Sequence, residues 1–276
     1  NPSYWAAFQL LGENLTIEPD CLLARGTLKG IKAVKIIKPT GKLLALPIIQ
    51  DGILYTGGDD GNIIALNASD GTILWKVKTM DWVNNPFVIS DGVLYAGGMD
   101  KRVFAVDAVT GRKRWEAKTG GWIVDTPSIG ESRVFALCKD GYLYFLKKDT
   151  GEFDKRHFVG DINKAFLTLS GDMLIATVEN RDRIKVTCFD AKRYNMIWEK
   201  SVAGKLFGAA RIYKGFYFHT YGKGLLCSEN VFNGRIQWEY DMGSGILDIV
   251  FGDANLAYIS RDNIQLLAVN LETGKT

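Results

Sequence analysis

Histidine and cysteine are the side chains that most often ligate metals or serve as base and nucleophile near neutral pH. This chain has two histidines, His157 and His219, and four cysteines, Cys21, Cys138, Cys188 and Cys227. None of their spacings matches a metal-ligand pattern, and the two histidines stand far apart. No nucleophile–base pair or metal cluster assembles from them, so no catalytic residue and no metal ligand is assigned. The cysteines read as buried free thiols in strands. Chemistry has to be sought in residues that recur.

Recurrence is pronounced. "NASDGTILWKVKT" begins at Asn67, and "DAVTGRKRWEAKT" begins at Asp107. The glycines of these segments, Gly71, Gly111 and Gly151, are 40 residues apart, and Gly234 and Gly274 repeat that step. Tyr194 holds the equivalent place in the fourth copy. Four residues after each comes Trp75, Trp115, Lys155, Trp198 or Trp238, and six before comes Ala65, Ala105, Phe145, Cys188, Ser228 or Ala268. A polar residue stands four before: Asn67, Asp107, Lys147, Asp190, Asn230 or Asn270. Upstream, "PIIQDGILYTGG" and "PFVISDGVLYAGG" read as strand, turn and strand, with β-branched and aromatic residues crowded together.

Four short strands per 40 residues, joined by Gly/Asp/Asn turns, are one blade of a β-propeller. The expected fold is all-β, with six to seven four-stranded blades closed by N-terminal strands. The short polar side chain caps each turn while Gly supplies positive φ. The outermost strand then sends Trp75, Trp115, Trp198 or Trp238 into the seam with the next blade, because a single blade cannot bury both of its faces.

These units, Ala-x-Asp-x-x-x-Gly-x-x-x-Trp after "DGxLYxGG", resemble the pyrroloquinoline-quinone-type (PQQ-like) propeller repeat with its tryptophan docking motif. The resemblance spans residues 43–276; residues 1–42 read as a helix near Pro2–Gly12 followed by closing strands. It implies a choice between two kinds of relative. Quinone-dependent dehydrogenases of this family carry PQQ and calcium and often an adjacent Cys-Cys pair. No such pair and no recognisable catalytic segment stands here. The non-enzymatic relatives, such as the bacterial outer-membrane protein assembly lipoprotein and surface propellers, are the nearer likeness. The expected function is therefore a non-catalytic interaction or scaffold propeller without cofactor, extracytoplasmic, binding a protein or small polar ligand. A minimal PQQ-dependent dehydrogenase and the sensor ectodomain of a larger membrane protein are the alternatives.

Equivalent loops leading into the innermost strands converge on the axis of a propeller. They place Asn84, Asp125 and Lys164 at one level and Asn85 and Asp248 at the next, with Trp82 and Trp122 ahead of them. Such a mouth suits a zwitterionic or peptide ligand, since its signs are mixed. A net charge of +3 gives no ground for a nucleic-acid partner. From 25 to 42 every charged residue is basic, which reads as a protected strand edge or as proximity to an anionic membrane surface.

Overall fold

Each 40-residue unit folds as an antiparallel meander, because alternating apolar residues between tight turns can pair only with their sequence neighbours. The computed structural model describes residues 44–206, 210–221, 224–243, 246–252, 255–261 and 266–275. The expected N-terminal helix, the closing strands and the basic 25–42 segment lie outside them, as does Cys21.

The first sheet holds β1 (Ile48–Gln50), β2 (Ile53–Gly57), β3 (Asn62–Asn67) and β4 (Ile73–Lys78). The second holds β5 (Val88–Ser90), β6 (Val93–Gly97), β7 (Arg102–Asp107) and β8 (Lys113–Lys118). The third holds β9 (Ser128–Ile129), β10 (Arg133–Leu137), β11 (Tyr142–Lys147) and β12 (Phe153–Phe158). The fourth holds β13 (Lys164–Ser170), β14 (Met173–Asn180), β15 (Arg183–Asp190) and β16 (Asn195–Ala203). The fifth holds β17 (Arg211–Tyr213), β18 (Phe216–Tyr221), β19 (Leu225–Asn230) and β20 (Ile236–Asp241). The sixth has, among the described residues, β21 (Ile246–Phe251), β22 (Leu256–Arg261) and β23 (Leu266–Asn270). No helix occurs among the described residues.

The repeated polar residue caps its turn. Asn67 Oδ1 accepts from Ser69 N at 2.9 Å, and Asp107 Oδ1 accepts from Thr110 N at 3.0 Å. Gly71, Gly111, Gly151, Gly234 and Gly274 all sit at φ between 66° and 73°. Each tryptophan reaches the following sheet. Trp75 Nε1 donates to the Ala108 carbonyl at 3.0 Å; Trp115, Trp198 and Trp238 donate to Lys148, Val231 and Leu271, each at 2.8 Å. Their rings lie flat on the next unit's turn glycine, and a Cβ on Gly111 would fall 2.7 Å from the Trp75 ring. Trp75 and Trp115 are buried, whereas Trp198 and Trp238 are only partly so.

The third seam is built differently, and its three departures from the repeat form one arrangement. Phe145 replaces the small residue, Lys155 replaces the tryptophan, and Tyr194 replaces the glycine. Tyr194 still adopts the left-handed conformation, φ 58°. Its ring packs edge-on against Phe145 with centroids 6.1 Å apart, beneath the Arg133 guanidinium at 4.9 Å. The Tyr194 hydroxyl bonds Ser132 Oγ at 3.1 Å. The aromatic filling thus comes from the fourth sheet instead of the third.

Candidate functional site

Turns between the second and third strands of a sheet, and loops leading into the next sheet, lie at one end of the strands; the capped Asx turns lie at the other. The innermost strands of neighbouring sheets approach one another, β5 to β9, β9 to β13 and β13 to β17. Trp82, Asn84, Asn85, Trp122 and Asp125 are on the loops at the first end, Lys164 is the first residue of β13, and Asp248 is the third of β21.

Most of their polar groups are already engaged with the next sheet. Asn85 Nδ2 donates to the Ile123 carbonyl at 2.7 Å. Asp125 Oδ2 accepts from Leu167 N of β13 at 2.7 Å, while its Oδ1 accepts from Thr126 N at 2.8 Å. Lys164 Nζ donates to the Leu206 carbonyl at 3.2 Å and lies 5.3 Å from the Phe166 ring centre. Arg211 of β17 meets Asp248 of β21 at 3.3 Å. These bonds form a polar inner clamp, just as the tryptophans form an outer one. Sequence reasoning did not single out Arg211, nor Glu179, whose Oε2 accepts from Leu206 N at 2.7 Å. Their signal was weak, since nothing local marks a residue whose partner sits on another sheet.

Asp125 carries the perturbed acidity of this end. Burial pushes its carboxyl up to about 6, against the lowering pull of the Leu167 and Thr126 amides and of Arg211. Desolvation of the charged form outweighs two backbone donors here.

The apolar residues of the loops divide sharply. Val83 and Ile123 are fully buried and anchor their loops, and Val83 N and Ile123 N donate to the Gly58 and Gly98 carbonyls. The adjacent residues face outward: Trp82 is 49% exposed, Trp122 is 41% exposed and Met80 is 79% exposed. The backbone beneath the tryptophans is held, since their carbonyls accept from Met99 N at 3.0 Å and Lys139 N at 2.8 Å. Asn84 is exposed beside them. The mouth therefore presents large side chains on a fixed frame.

Residues 59–276 match the family described as outer membrane protein assembly factor BamB. The chain belongs to this family. Among solved structures, BamB from Moraxella catarrhalis superposes with a TM-score of 0.70 at 18% identity, covering 84% of this chain and 71% of that one. A computationally designed protein, Ika8, superposes with a TM-score of 0.69 at 15% identity, covering 82% of this chain and 70% of that one. At these identities the superpositions speak for the propeller fold alone. No curated protein matches the sequence significantly.

Proposed function

We propose that this family member is a non-catalytic interaction propeller of an extracytoplasmic assembly, which grips an extended protein segment at the mouth described above. The observation that carries this reading is the pair Trp82 and Trp122. They occupy the same place on successive loops, lie outside the core, and stand on backbone tied down on both sides. Rigid, exposed aromatics lose little entropy on binding and are the side chains that most often dominate protein interfaces. Met80 adds an adaptable apolar contact and Asn84 an exposed amide beside the tryptophans, on a frame that the Asp125, Lys164 and Asp248 bonds hold in place. Family membership supports a protein partner in outer-membrane assembly, and with it an extracytoplasmic location.

The test is site-specific photocrosslinking in cells that make this protein. A photoreactive side chain at Asn84 should give a discrete adduct, and one at Phe232, exposed on a capped turn at the opposite end, should not. Combining Trp82→Ala with Trp122→Ala should abolish the adduct without changing the melting temperature by more than a degree or two. Adducts only from position 232 would defeat the mouth assignment. Turnover of alcohols or sugars after reconstitution with PQQ and calcium would defeat the non-catalytic part.

A further inference from the structure

A cluster of titratable side chains, His219, Cys227 and Glu229, is buried where the fifth sheet faces the fourth. His219 of β18 pairs across the hairpin with Cys227 of β19, and Tyr217 pairs with Glu229. Cross-strand registers give the equivalents of His219 in the other five sheets as Thr56, Ala96, Ala136, Ala176 and Ile259. Those of Cys227 are Ile64, Phe104, Tyr144, Thr187 and Leu267; those of Glu229 are Leu66, Val106, Leu146, Phe189 and Val269. The fifth sheet alone exchanges this face for imidazole, thiol and carboxylate. Burying such groups is costly unless something compensates them.

Part of the compensation is visible. His219 Nε2 and Glu229 Oε1 are 2.9 Å apart, and Cys227 Sγ lies 3.4 Å from the same oxygen. Lys200, from β16 of the fourth sheet, forms an ion pair with that oxygen. His219 also lies between the Tyr217 and Tyr221 rings, at 4.9 and 5.6 Å. Burial alone would raise the Glu229 pKa, but the His219 and Lys200 contacts outweigh it and hold the carboxyl below its ordinary range. Yet Glu229 Oε2, inside a residue only 1% exposed, has no hydrogen-bond partner among the described residues, and neither has His219 Nδ1. An orphaned, fully desolvated carboxylate oxygen is the usual mark of an ion or water that completes a site.

We propose that His219, Cys227 and Glu229 form a binding site for a borderline divalent cation, zinc(II) by its donor set. One donor atom from each, imidazole nitrogen, thiol sulfur and carboxylate oxygen, lies within 4.8 Å of the others. Ligands of tetrahedral zinc with bonds of about 2.0–2.3 Å stand roughly 3–4 Å apart, so only a small adjustment closes the triad. A further oxygen donor stands close by, Glu239, whose Oε1 is 3.9 Å from Cys227 Sγ. Lys200 acts as counterion to the empty triad. Its side chain is 22% exposed on a flexible stem, so the ammonium withdraws to solvent as the metal arrives. The thiol proton leaves to solvent as the sulfur–metal bond forms.

Cobalt(II) is the probe, because thiolate ligation gives an intense near-ultraviolet band and tetrahedral geometry gives strong visible bands. The full chain, with Cys21→Ser to remove the one thiol outside the described residues, is stripped with chelator and titrated with cobalt(II), then with zinc(II). One equivalent of cobalt should develop both bands, and zinc should erase them. His219→Gln and Cys227→Ser should each weaken zinc binding at least tenfold, the lower bound seen when even supporting residues of metal sites are lost. Lys200→Met should leave affinity intact or raise it, because it removes the competing cation; a purely structural ion pair predicts no metal binding in any variant. Absence of the thiolate–cobalt band in the Cys21→Ser chain overturns the proposal whether or not the other variants fold. So does zinc binding that is unchanged by Cys227→Ser.

Discussion

Replacing Trp75 by alanine tests the seam at its simplest. The indole is 9% exposed, packs on Tyr55 with centroids 5.9 Å apart, and lies flat on Gly111 of the next sheet. Truncating a buried tryptophan costs about 3–5 kcal/mol. The Ala108 carbonyl is not orphaned, since the Tyr55 hydroxyl also donates to it at 3.2 Å, so no further penalty is expected. Gly111→Ala should cost about 1–2 kcal/mol for its left-handed backbone and a further 1–3 kcal/mol because its Cβ would meet the indole. In the Trp75→Ala background the second cost vanishes and the added methyl fills part of the hole. Chemical denaturation of the four proteins should therefore show the double variant to be more stable than the sum of the singles, by about 1–3 kcal/mol. Additivity within about 0.5 kcal/mol would mean that these residues are not in contact and that the seam is assembled otherwise.

Tyr194→Gly relieves a left-handed tyrosine yet should destabilise the protein by about 1–2 kcal/mol, because the third seam has no tryptophan to take its place. Adding Phe145→Ala and Lys155→Trp should recover that loss, measurable as melting temperature; no recovery would show that the three positions act separately. Asp125 sets a pH dependence of definite sign. Its folded pKa of about 6 lies above the ordinary 3.8, so its contribution to stability is greatest below pH 4 and falls as pH rises through 6. The full effect of a two-unit shift is about 3 kcal/mol, less here because the carboxyl keeps some solvent contact. Asp125→Asn should accordingly gain on the native protein between pH 4.5 and 7.5 in denaturant midpoints, and parallel pH profiles would contradict the burial argument.

Much of this architecture is local, and so it was written in the sequence. The Asx turns at Asn67 and Asp107, the left-handed glycines at 71 and 111 and the pairing of Ala65 with Trp75 need only near neighbours, and the 40-residue period multiplied their signal. That Asn84, Asn85, Asp125 and Lys164 lie at one end of the strands was legible, because equal places in successive repeats fall at equal places on successive sheets. Their individual roles were not. Asp125 bonds Leu167, Lys164 bonds Leu206, and Arg211 meets Asp248, each across a sheet boundary whose rotation and spacing no local pattern encodes. The same holds for the third seam, where two residues that broke the repeat, Lys155 and Tyr194, both pack against the third, Phe145. His219, Cys227 and Glu229 gave no ligand spacing along the chain. A β-hairpin brings residues together by register, and burial against Lys200 of a different sheet comes only from packing. Period and turn chemistry determine the blade; the meeting of two blades decides which polar side chains are clamps, which stay exposed, and which are shut inside.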